Sequence, residues 1–295
     1  MIVVLLNPLS GVTEAQDRFA LVTQLFDAAG ADAQIVQLAS GAEAPDAARS
    51  AVSQGAAAVV AGGGDGTVSS VASVLVGSQT PLGVLPLGTL NHFARDAGIP
   101  MDLAAAVAAV VAAHVTAVDV GEVNGRIFLN NSSIGVYPDI VIERERLRQQ
   151  GYRKWLAFAV ATARILRRYR GLVVQLTSHG TSVRARTAFL LVGNNRYQTD
   201  GLDLGARACL DGGELFAYLA PRVHARDLPK MLALALVGRG NNTQALESFP
   251  VAELDVHTPR RRRLRVALDG EVTVMTRPLR YRVRPRSLRV IVPAR

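Results

Sequence analysis

Three short polar stretches each follow an apolar run and precede a segment with helical periodicity. They are NPLSG at 7–11, GGGDGT at 62–67 and GTLN at 88–91. A turn from a strand into a helix presents free backbone N–H groups and the positive end of the helix dipole, and it therefore binds anions such as phosphate. The second stretch also holds a carboxylate, Asp65, which would repel a phosphate unless a cation lies between them. These residue types predict phosphate binding, with Asp65 binding Mg²⁺ or abstracting a proton.

The 62–67 stretch departs from two common phosphate-binding patterns. No Gly-Lys-Ser/Thr closes it, as a Walker A motif requires, and Thr67 takes the place of the last glycine of the dinucleotide-binding fingerprint. A glycine-rich turn also occurs as an ordinary connection between a strand and a helix. Asp65 is the residue that favours a ligand site over a simple connecting turn.

The elements that must position these stretches are predicted from periodicity. From Met1 to His114, short β-branched runs alternate with helical segments, a pattern typical of βαβ units and a parallel sheet. Thr13 with Gln16 predicts a capping box, Gly30 the end of the first helix, and Asp102 the cap of an alanine-rich helix. The predicted strands are IVVLL, AQIVQL, AAVVA and PLGVLPL. Because parallel strands end along one edge of their sheet, the three polar stretches should converge there.

The periodicity changes after Val115. Strand-like segments separated by Gly, Asn and Asp turns predict an antiparallel second half, interrupted by helical segments over 139–169 and 225–237. This change alone places a boundary near Gly121. We predict a nucleotide-binding catalytic domain over 1–121 and a second domain over 122–295, whose last residues pack back on the first.

Composition limits the functional classes. The 295 residues carry a net charge of +9, which attracts polyanions such as nucleotides, anionic lipid or nucleic acid. The run Arg260 to Arg263 lacks interleaved aromatic residues, so a solvated strand end is favoured over a nucleic-acid patch. With Cys209 as the single cysteine and no signal-peptide pattern at the N-terminus, we expect a cytoplasmic protein. The longest apolar runs are too short to span a bilayer, so membrane contact would be peripheral.

The three stretches, in this order and spacing, resemble the catalytic domain of the diacylglycerol kinase family. That family includes bacterial lipid kinases and sphingosine and ceramide kinases, and it is distantly similar to NAD kinases. The likeness continues through AVDVGEVNGRIFLNNSSIGV and VALDGE. It implies a doubly wound, mostly parallel α/β domain followed by an antiparallel β-sandwich, with the nucleotide in the cleft between them.

The resemblance also implies site residues and cofactors. ATP would be the nucleotide and Mg²⁺ the metal, with Asp65 organising the ion and taking part in catalysis. The residues implied to bind ATP are Asn7, Gly11, Gly63, Gly64, Gly66, Thr67, Gly88, Thr89 and Asn91. Asp119 matches an aspartate of the same metal network, although a residue of a strand-end turn is an equal alternative.

Glu271 matches the carboxylate that acts as general base toward the acceptor hydroxyl. The same segment has a purely structural interpretation, because Asp269-Gly270 between two strand-like runs predicts a type I′ hairpin. Both interpretations hold together if the hairpin presents Glu271 to the cleft. Asp211 resembles a structural magnesium site of some bacterial members, but Asp-Gly-Gly is also an ordinary turn, which we favour.

Two positions depart from the family pattern. His92 stands where many members have an aspartate, which removes one acid from the metal network, so that either the network tolerates the change or activity is reduced. The first loop lacks the Lys or Arg that members often carry after its glycine, so that either Arg18 replaces it from the helix or the affinity for phosphate is lower.

The acceptor implied is a lipid with a free hydroxyl, resembling diacylglycerol. The arginine-rich helical segment over 139–169 is typical of an interfacial helix on an anionic membrane, or of a core helix with a solvated basic end. Two other functions stay open at this point. They are a kinase of a soluble acceptor such as NAD, and a catalytically silent nucleotide or lipid binder.

Overall fold

A computed structural model describes residues 1–8, 15–169, 171–178, 180–198, 206–207, 209–220 and 247–294. The predicted capping residue Thr13, the predicted site residue Gly11 and the helix predicted over 225–237 lie outside these residues.

The first half alternates strands and helices, as the periodicity predicts. Its elements are β1 (Ile2–Leu6), α1 (Ala15–Ala28), β2 (Ala33–Gln37), α2 (Ala44–Ser53), β3 (Ala58–Gly63), α3 (Asp65–Leu75), β4 (Leu82–Pro86), α4 (His92–Asp96) and α5 (Leu103–Ala112). Strand β1 is parallel to β2 and β3, and β3 is parallel to β4. Gly30 has a φ of +62° just after α1, and Asp102 Oδ1 accepts a 2.9 Å hydrogen bond from the Ala105 amide at the start of α5. Both predicted helix boundaries are therefore confirmed.

The second half is mainly antiparallel. Its elements are β5 (Val115–Val123), β6 (Arg126–Phe128), β7 (Asn131–Gly135), α6 (Val136–Gln149), α7 (Lys154–Arg168), β8 (Leu172–Ser178), β9 (Thr181–Thr187), β10 (Phe189–Asn194), β11 (Leu215–Ala220), β12 (Glu247–Val251), β13 (Glu253–His257), β14 (Arg263–Leu268), β15 (Glu271–Thr276) and β16 (Leu279–Ile291). None of the described helices has the length and apolar character needed to cross a bilayer.

Two sheets organise these strands. A 10-stranded sheet runs β2-β1-β3-β4-β16-β13-β8-β9, with β5 beside β16 and β6 beside β5. A 6-stranded sheet runs β12-β11-β10-β7-β14-β15 and is antiparallel throughout. The predicted fold class, a mostly parallel α/β domain followed by an antiparallel sandwich, is confirmed.

Strand β16 connects the two halves. Its residue Val290 pairs in parallel with Leu82 of β4, while its length pairs antiparallel with β5 and its first residues with β13. The pairing with β5 is interrupted by a bulge between Arg284 and Leu288. The predicted division of the chain at residue 121 stays a prediction.

Apolar cores in the described residues hold these layers together. One lies between the parallel sheet and helices α2 and α3, and includes Leu5, Val59, Val71 and Leu75. A second lies on the other face of that sheet, against α1 and α5, and includes Val4, Phe26 and Val110. A third lies between the two sheets of the second half and includes Ile134, Leu190, Val266 and Tyr281. The polar residues at the strand ends are therefore carried by rigid, well-packed elements.

Candidate active site

The loops after β3 and β4 touch through their glycines. A Cβ added to Gly88 would lie 2.4 Å from the Gly64 Cα atom, a distance that real side chains do not tolerate. A Cβ added to Gly63 would lie 2.5 Å from Thr67 Oγ1. The glycines therefore permit two loops to pack backbone against backbone at one edge of the sheet, as predicted.

Asn91 shapes the second loop from within. It has a φ of +51° in the left-handed region, and it is 8% exposed. Its Oδ1 accepts from the Gly88 amide at 3.0 Å, and its Nδ2 donates to the carbonyls of Pro86 and Gly88. Because both ends of this side chain are occupied within the turn, Asn91 positions the loop in this structure, whereas Thr89 is exposed on it.

Asp65 lies in the first turn of α3 and is half-buried. Its Oδ1 accepts a 3.2 Å hydrogen bond from the Phe93 amide in the first turn of α4. His92, at the position where the resemblance expects an acid, is exposed. A backbone amide next to His92, rather than the residue-92 side chain, thus contacts the Asp65 carboxylate.

Asn7, at the end of β1, joins the first loop to the site. Its Nδ2 donates to Thr67 Oγ1 at 2.9 Å, and Thr67 is buried in the first turn of α3. The two predicted residues are therefore brought together. Arg18, the candidate replacement for the missing basic residue, is buried in α1.

Glu271 reaches the glycine loop from the second half of the chain. The hairpin β14–β15 has Asp269 and Gly270 at its tip with φ values of +46° and +90°, and Leu268 pairs with Glu271. This is the predicted type I′ geometry. A Cβ added to Gly66 would lie 2.9 Å from Glu271 Oε1, so the carboxylate lies directly over the first turn of α3.

Asp269 fixes this hairpin, a role that the sequence analysis missed. Its carboxylate accepts from the amides of Leu129, Asn130 and Asn131 at 2.8 to 3.1 Å. It also accepts from Ser69 Oγ in α3 at 2.6 Å. Burial raises the pKa of Asp269, and the hydrogen bonds from Ser69 and the three amides oppose that rise. One buried carboxylate thus ties the hairpin tip to both α3 and the segment before β7.

Arg207 also contacts the 129–131 segment, and the sequence analysis did not identify this residue either. Its side chain is fully buried and pairs with Asp96 of α4, with 2.7 Å between Nε and Oδ2. The guanidinium also donates to the Leu129 carbonyl at 2.6 Å and to Asn130 Oδ1 at 2.8 Å. Helix α4 and the 129–131 segment are therefore held together by a satisfied ion pair.

The contacts of Asp119 lie outside the glycine loops. It is 1% exposed in β5, and its Oδ1 accepts from the Arg286 amide inside the β16 bulge at 2.8 Å. Its Oδ2 accepts from the Gly213 amide at 2.6 Å and from Asn195 Nδ2 at 3.2 Å. Asp119 thus satisfies an amide that the bulge removes from the strand ladder. No hydrogen bond joins it to the 62–67 loop in the described residues, and the role of Asp119 as a metal ligand stays a prediction.

Asp211 is exposed and lies 3.7 Å from Arg286 Nη2. In the part of the chain that the structure describes, no three acidic, histidine or cysteine side chains group as a metal site. Mg²⁺ commonly takes one or two carboxylates and completes its shell with water and substrate phosphates. Asp65, next to anion-binding amides, fits that donor set.

Two cavities meet at Glu271. The smaller, about 230 Å³, is lined by Asn7, Gly41, Gly64, Gly66, Thr67, Ser70 and Glu271. The larger, about 490 Å³, lies beside α3 and the hairpin and shares Gly66, Ser70 and Glu271 with the first. A carboxylate that borders two cavities can contact two different reactants.

Helices α6 and α7 pack against each other through Ile140, Leu147, Ala157 and Ala161. At the beginning of α7, however, Trp155 is 79% exposed and Leu156 52% exposed. One face of this apolar segment is therefore core and its first turn faces solvent, and its contact with a membrane stays a prediction.

Comparison with known proteins agrees with this geometry. Residues 1–123 match the diacylglycerol kinase catalytic domain, and residues 134–292 match the YegS C-terminal NAD kinase beta sandwich-like domain. A probable lipid kinase YegS-like protein of Pseudomonas aeruginosa is 34% identical over 252 residues, which cover 83% of this chain and 79% of the relative. One of Pseudomonas fluorescens is 31% identical over 274 residues, which cover 90% of this chain and 87% of that relative.

Solved structures share the whole architecture. A putative diacylglycerol kinase from Bacillus anthracis superposes with a TM-score of 0.77 at 21% identity, covering 99% of this chain and 96% of that one. The match of residues 1–123 to the diacylglycerol kinase catalytic domain makes the class a kinase, and the solved structure shows the same fold. This chain belongs to the YegS-like family of that class.

Proposed function

We propose that this protein transfers the γ-phosphate of ATP to the hydroxyl of a diacylglycerol-like lipid. The observation that carries the proposal is the position of the Glu271 carboxylate directly over Gly66, in the first turn of the helix that follows the glycine loop. A carboxylate and a glycine turn from different halves of the chain border one cavity, which supports their roles as base and phosphate site. Phosphoryl transfer requires positioning and charge neutralisation, which these groups supply.

The phosphates of ATP would bind along the loop edge of the parallel sheet. The glycine amides at 63, 64 and 66 are the donors, whereas the Gly88 amide is occupied by Asn91 Oδ1 and Gly88 contributes close backbone approach. Asn7 and Thr67, which are hydrogen-bonded to each other, form the floor of the smaller cavity. We assign Asn91 a supporting role, since its side chain holds the second loop in shape.

Asp65 would hold Mg²⁺ together with the ATP phosphates. The ion, when bound, would neutralise charge on the transferred phosphoryl group. The Phe93 amide occupies one side of the Asp65 carboxylate and fixes its direction. Replacement of the usual acid by His92 is compatible with this arrangement, because the contact to Asp65 comes from the backbone.

Glu271 would accept the proton of the acceptor hydroxyl as that oxygen attacks the γ-phosphate. A general base must lie within hydrogen-bonding reach of the proton it removes. Glu271 is exposed to the cavities, whereas the neighbouring Asp269 is turned inward and occupied by four donors. Of the two acids of this hairpin, we therefore assign Glu271 to the substrate and Asp269 to holding the hairpin.

Delivery of a lipid would use the first turn of α7. Trp155 and Leu156 are exposed there, and the exposed Arg153 precedes them. Aromatic and apolar side chains beside cationic ones suit peripheral contact with an anionic membrane.

Label transfer from ATP tests the proposal. The purified protein is incubated with labelled ATP, Mg²⁺ and a total lipid extract, and in parallel with NAD. Label in an extracted lipid supports the proposal, whereas label in NAD would establish a kinase of a soluble acceptor. Binding of ATP without transfer to either would establish a silent binder.

A further inference from the structure

The Arg207 guanidinium is occupied on all three of its nitrogens. Nε donates to Asp96 Oδ2 at 2.7 Å, Nη2 donates to Asn130 Oδ1 at 2.8 Å, and Nη1 donates to the Leu129 carbonyl at 2.6 Å. The side chain is fully buried, and within the described residues it lines neither of the two cavities at Glu271. Arg207 can therefore affect a reaction in those cavities only through the residues that it holds.

The position of Asp96 is explained by this ion pair. Asp96 is the last residue of α4, where the carbonyl end of the helix dipole disfavours a carboxylate. Its side chain is 7% exposed, and its Oδ1 also accepts from the Arg207 amide at 3.4 Å. A buried charge requires a partner, which Arg207 provides. Because α4 has only five residues, an ion pair at its last residue restrains the whole helix.

Helix α4 in turn contacts Asp65. The amide of Phe93, three residues before Asp96, donates to Asp65 Oδ1 at 3.2 Å. A movement of α4 would therefore change the direction of the carboxylate that we assign to the metal.

Arg207 also bonds to the segment that supports Glu271. Leu129 gives its carbonyl to Arg207 and its amide to Asp269 Oδ2 at 2.8 Å. Asn130 gives its side-chain oxygen to Arg207 and its amide to Asp269 Oδ1 at 2.8 Å. Asp269 belongs to the hairpin that carries Glu271. One backbone segment is thus bonded both to the cation that holds α4 and to the anion that holds the hairpin.

We infer that Arg207 is a positioning residue that sets the placement of the Asp65 carboxylate relative to Glu271. The inference rests on the proposed function, in which these two acids serve one phosphoryl transfer from different halves of the chain. Such a reaction is sensitive to placement, since a misplacement of about 1 Å can cost roughly 10²-fold in rate. Without the ion pair, α4 loses this connection to the 129–131 segment, while the hydrogen bonds of Asp269 to that segment remain.

A double-mutant cycle tests the inference, because a chain of contacts does not by itself demonstrate coupling. Asp96→Asn keeps the size of the side chain but removes the charge that pairs with Arg207. We expect kcat for label transfer to lipid to fall roughly tenfold. In the Asp65→Asn background the same substitution should lower kcat by less than about twofold, because the carboxylate that it misdirects is already absent. A purely structural effect would lower kcat by the same factor in both backgrounds.

Glu122→Gln is the matched control. The Glu122 side chain is 6% exposed and accepts from Arg282 Nε at 2.8 Å, but within the described residues it lines neither cavity at the site. This variant should keep the wild-type kcat. Arg207→Lys is the second variant if Asp96→Asn folds poorly, since it keeps the charge but loses the planar fork that reaches Asp96 and Asn130 together. All variants are assayed at a temperature at which urea unfolding shows them to be folded.

Binding of Mn²⁺ in the presence of ATP, followed by electron paramagnetic resonance, gives a measurement apart from turnover. Asp96→Asn should weaken this binding, and Glu122→Gln should leave it unchanged. Equal loss of kcat in both backgrounds, or unchanged Mn²⁺ binding in Asp96→Asn, would overturn this inference while leaving the lipid kinase intact. Absence of label in every lipid with the wild-type protein would contradict the proposed function itself, and this inference with it.

Discussion

Ser69 in α3 and Asp269 at the tip of the β14–β15 hairpin are joined by a 2.6 Å hydrogen bond across 200 positions of sequence. The same carboxylate accepts hydrogen bonds from three backbone amides, those of residues 129–131 at the beginning of β7. The position of Glu271 over Gly66 therefore depends on a residue two positions earlier whose carboxylate is occupied by four donors.

Asp269→Asn should lower both stability and turnover. An amide has one acceptor oxygen in place of two, and its NH₂ group would face N–H donors, so buried amides lose their partner. We expect a loss of about 2–3 kcal/mol in the free energy of unfolding, measured in urea. The kcat should fall more than the affinity for ATP.

Asp211→Asn is the control for this change, because Asp211 is exposed and its pair with Arg286 lies at the surface. Its effect should stay below about 1 kcal/mol. Equal effects of the two variants would contradict the role given to Asp269.

Glu271→Gln should abolish transfer while leaving ATP binding intact. Loss of a general base costs about 10²–10⁴-fold in rate. The measurement is kcat from label transfer together with a separate titration of ATP binding. Glu247→Gln, exposed at the beginning of β12, should behave like the wild-type protein. Residual activity within a factor of about ten of wild type would exclude Glu271 as the base.

Gly88→Ala and Gly64→Ala probe one contact from its two sides. A Cβ at 88 would lie 2.4 Å from the Gly64 Cα, whereas a Cβ at 64 would lie 3.4 Å from the Gly88 Cα. The first is a clash of backbone with side chain, and the second is ordinary van der Waals contact. Gly88→Ala should destabilise the protein by about 1–3 kcal/mol. Gly64→Ala should change stability by less than about 0.5 kcal/mol in thermal unfolding.

Gly66→Ala should separate activity from folding. Its Cβ would meet Glu271 Oε1 at 2.9 Å, and the end of this exposed side chain can rotate away at little cost. We therefore expect a nearly unchanged melting temperature and a lower kcat. A variant that unfolds early, or one with full activity, would show that Glu271 does not lie over the loop as described.

Trp155→Ala should weaken binding to vesicles that contain anionic lipid. Trp155 is 79% exposed at the beginning of α7, where its removal costs little packing. Sedimentation with vesicles of increasing anionic content measures the effect. Val183→Ala is the control, because Val183 is 56% exposed on β9, away from this turn. Identical sedimentation of the two variants would contradict a role for the first turn of α7 in membrane binding.

Much of the fold was predictable because the segments whose sequence pattern predicts a strand or a turn also form that element in the folded protein. The apolar runs at 2–6, 58–61 and 82–85 are buried strands, and the Asp-Gly pair at 269–270 forms the predicted turn. Strand β16 was missed, although Leu279, Tyr281 and Val283 alternate with arginines at the strand period.

The supporting contacts of the site were beyond sequence reasoning. Asp269 was recognised only as a turn residue, since its partners Ser69 and Leu129 are far away in the chain. Asn91 was assigned to ATP by resemblance, whereas a positive φ and its occupied amide give it a structural task. Spacing predicts which residues share an edge, but it does not predict which way each side chain turns there.

The pairing of Val290 with Leu82 has a consequence for biosynthesis. On the ribosome, a nascent chain that has completed β4 exposes that strand's outer edge until β16 emerges, and an uncovered edge invites pairing with other chains. The half that carries the glycine loops is therefore synthesised early, but its sheet is complete only after β16 has been made.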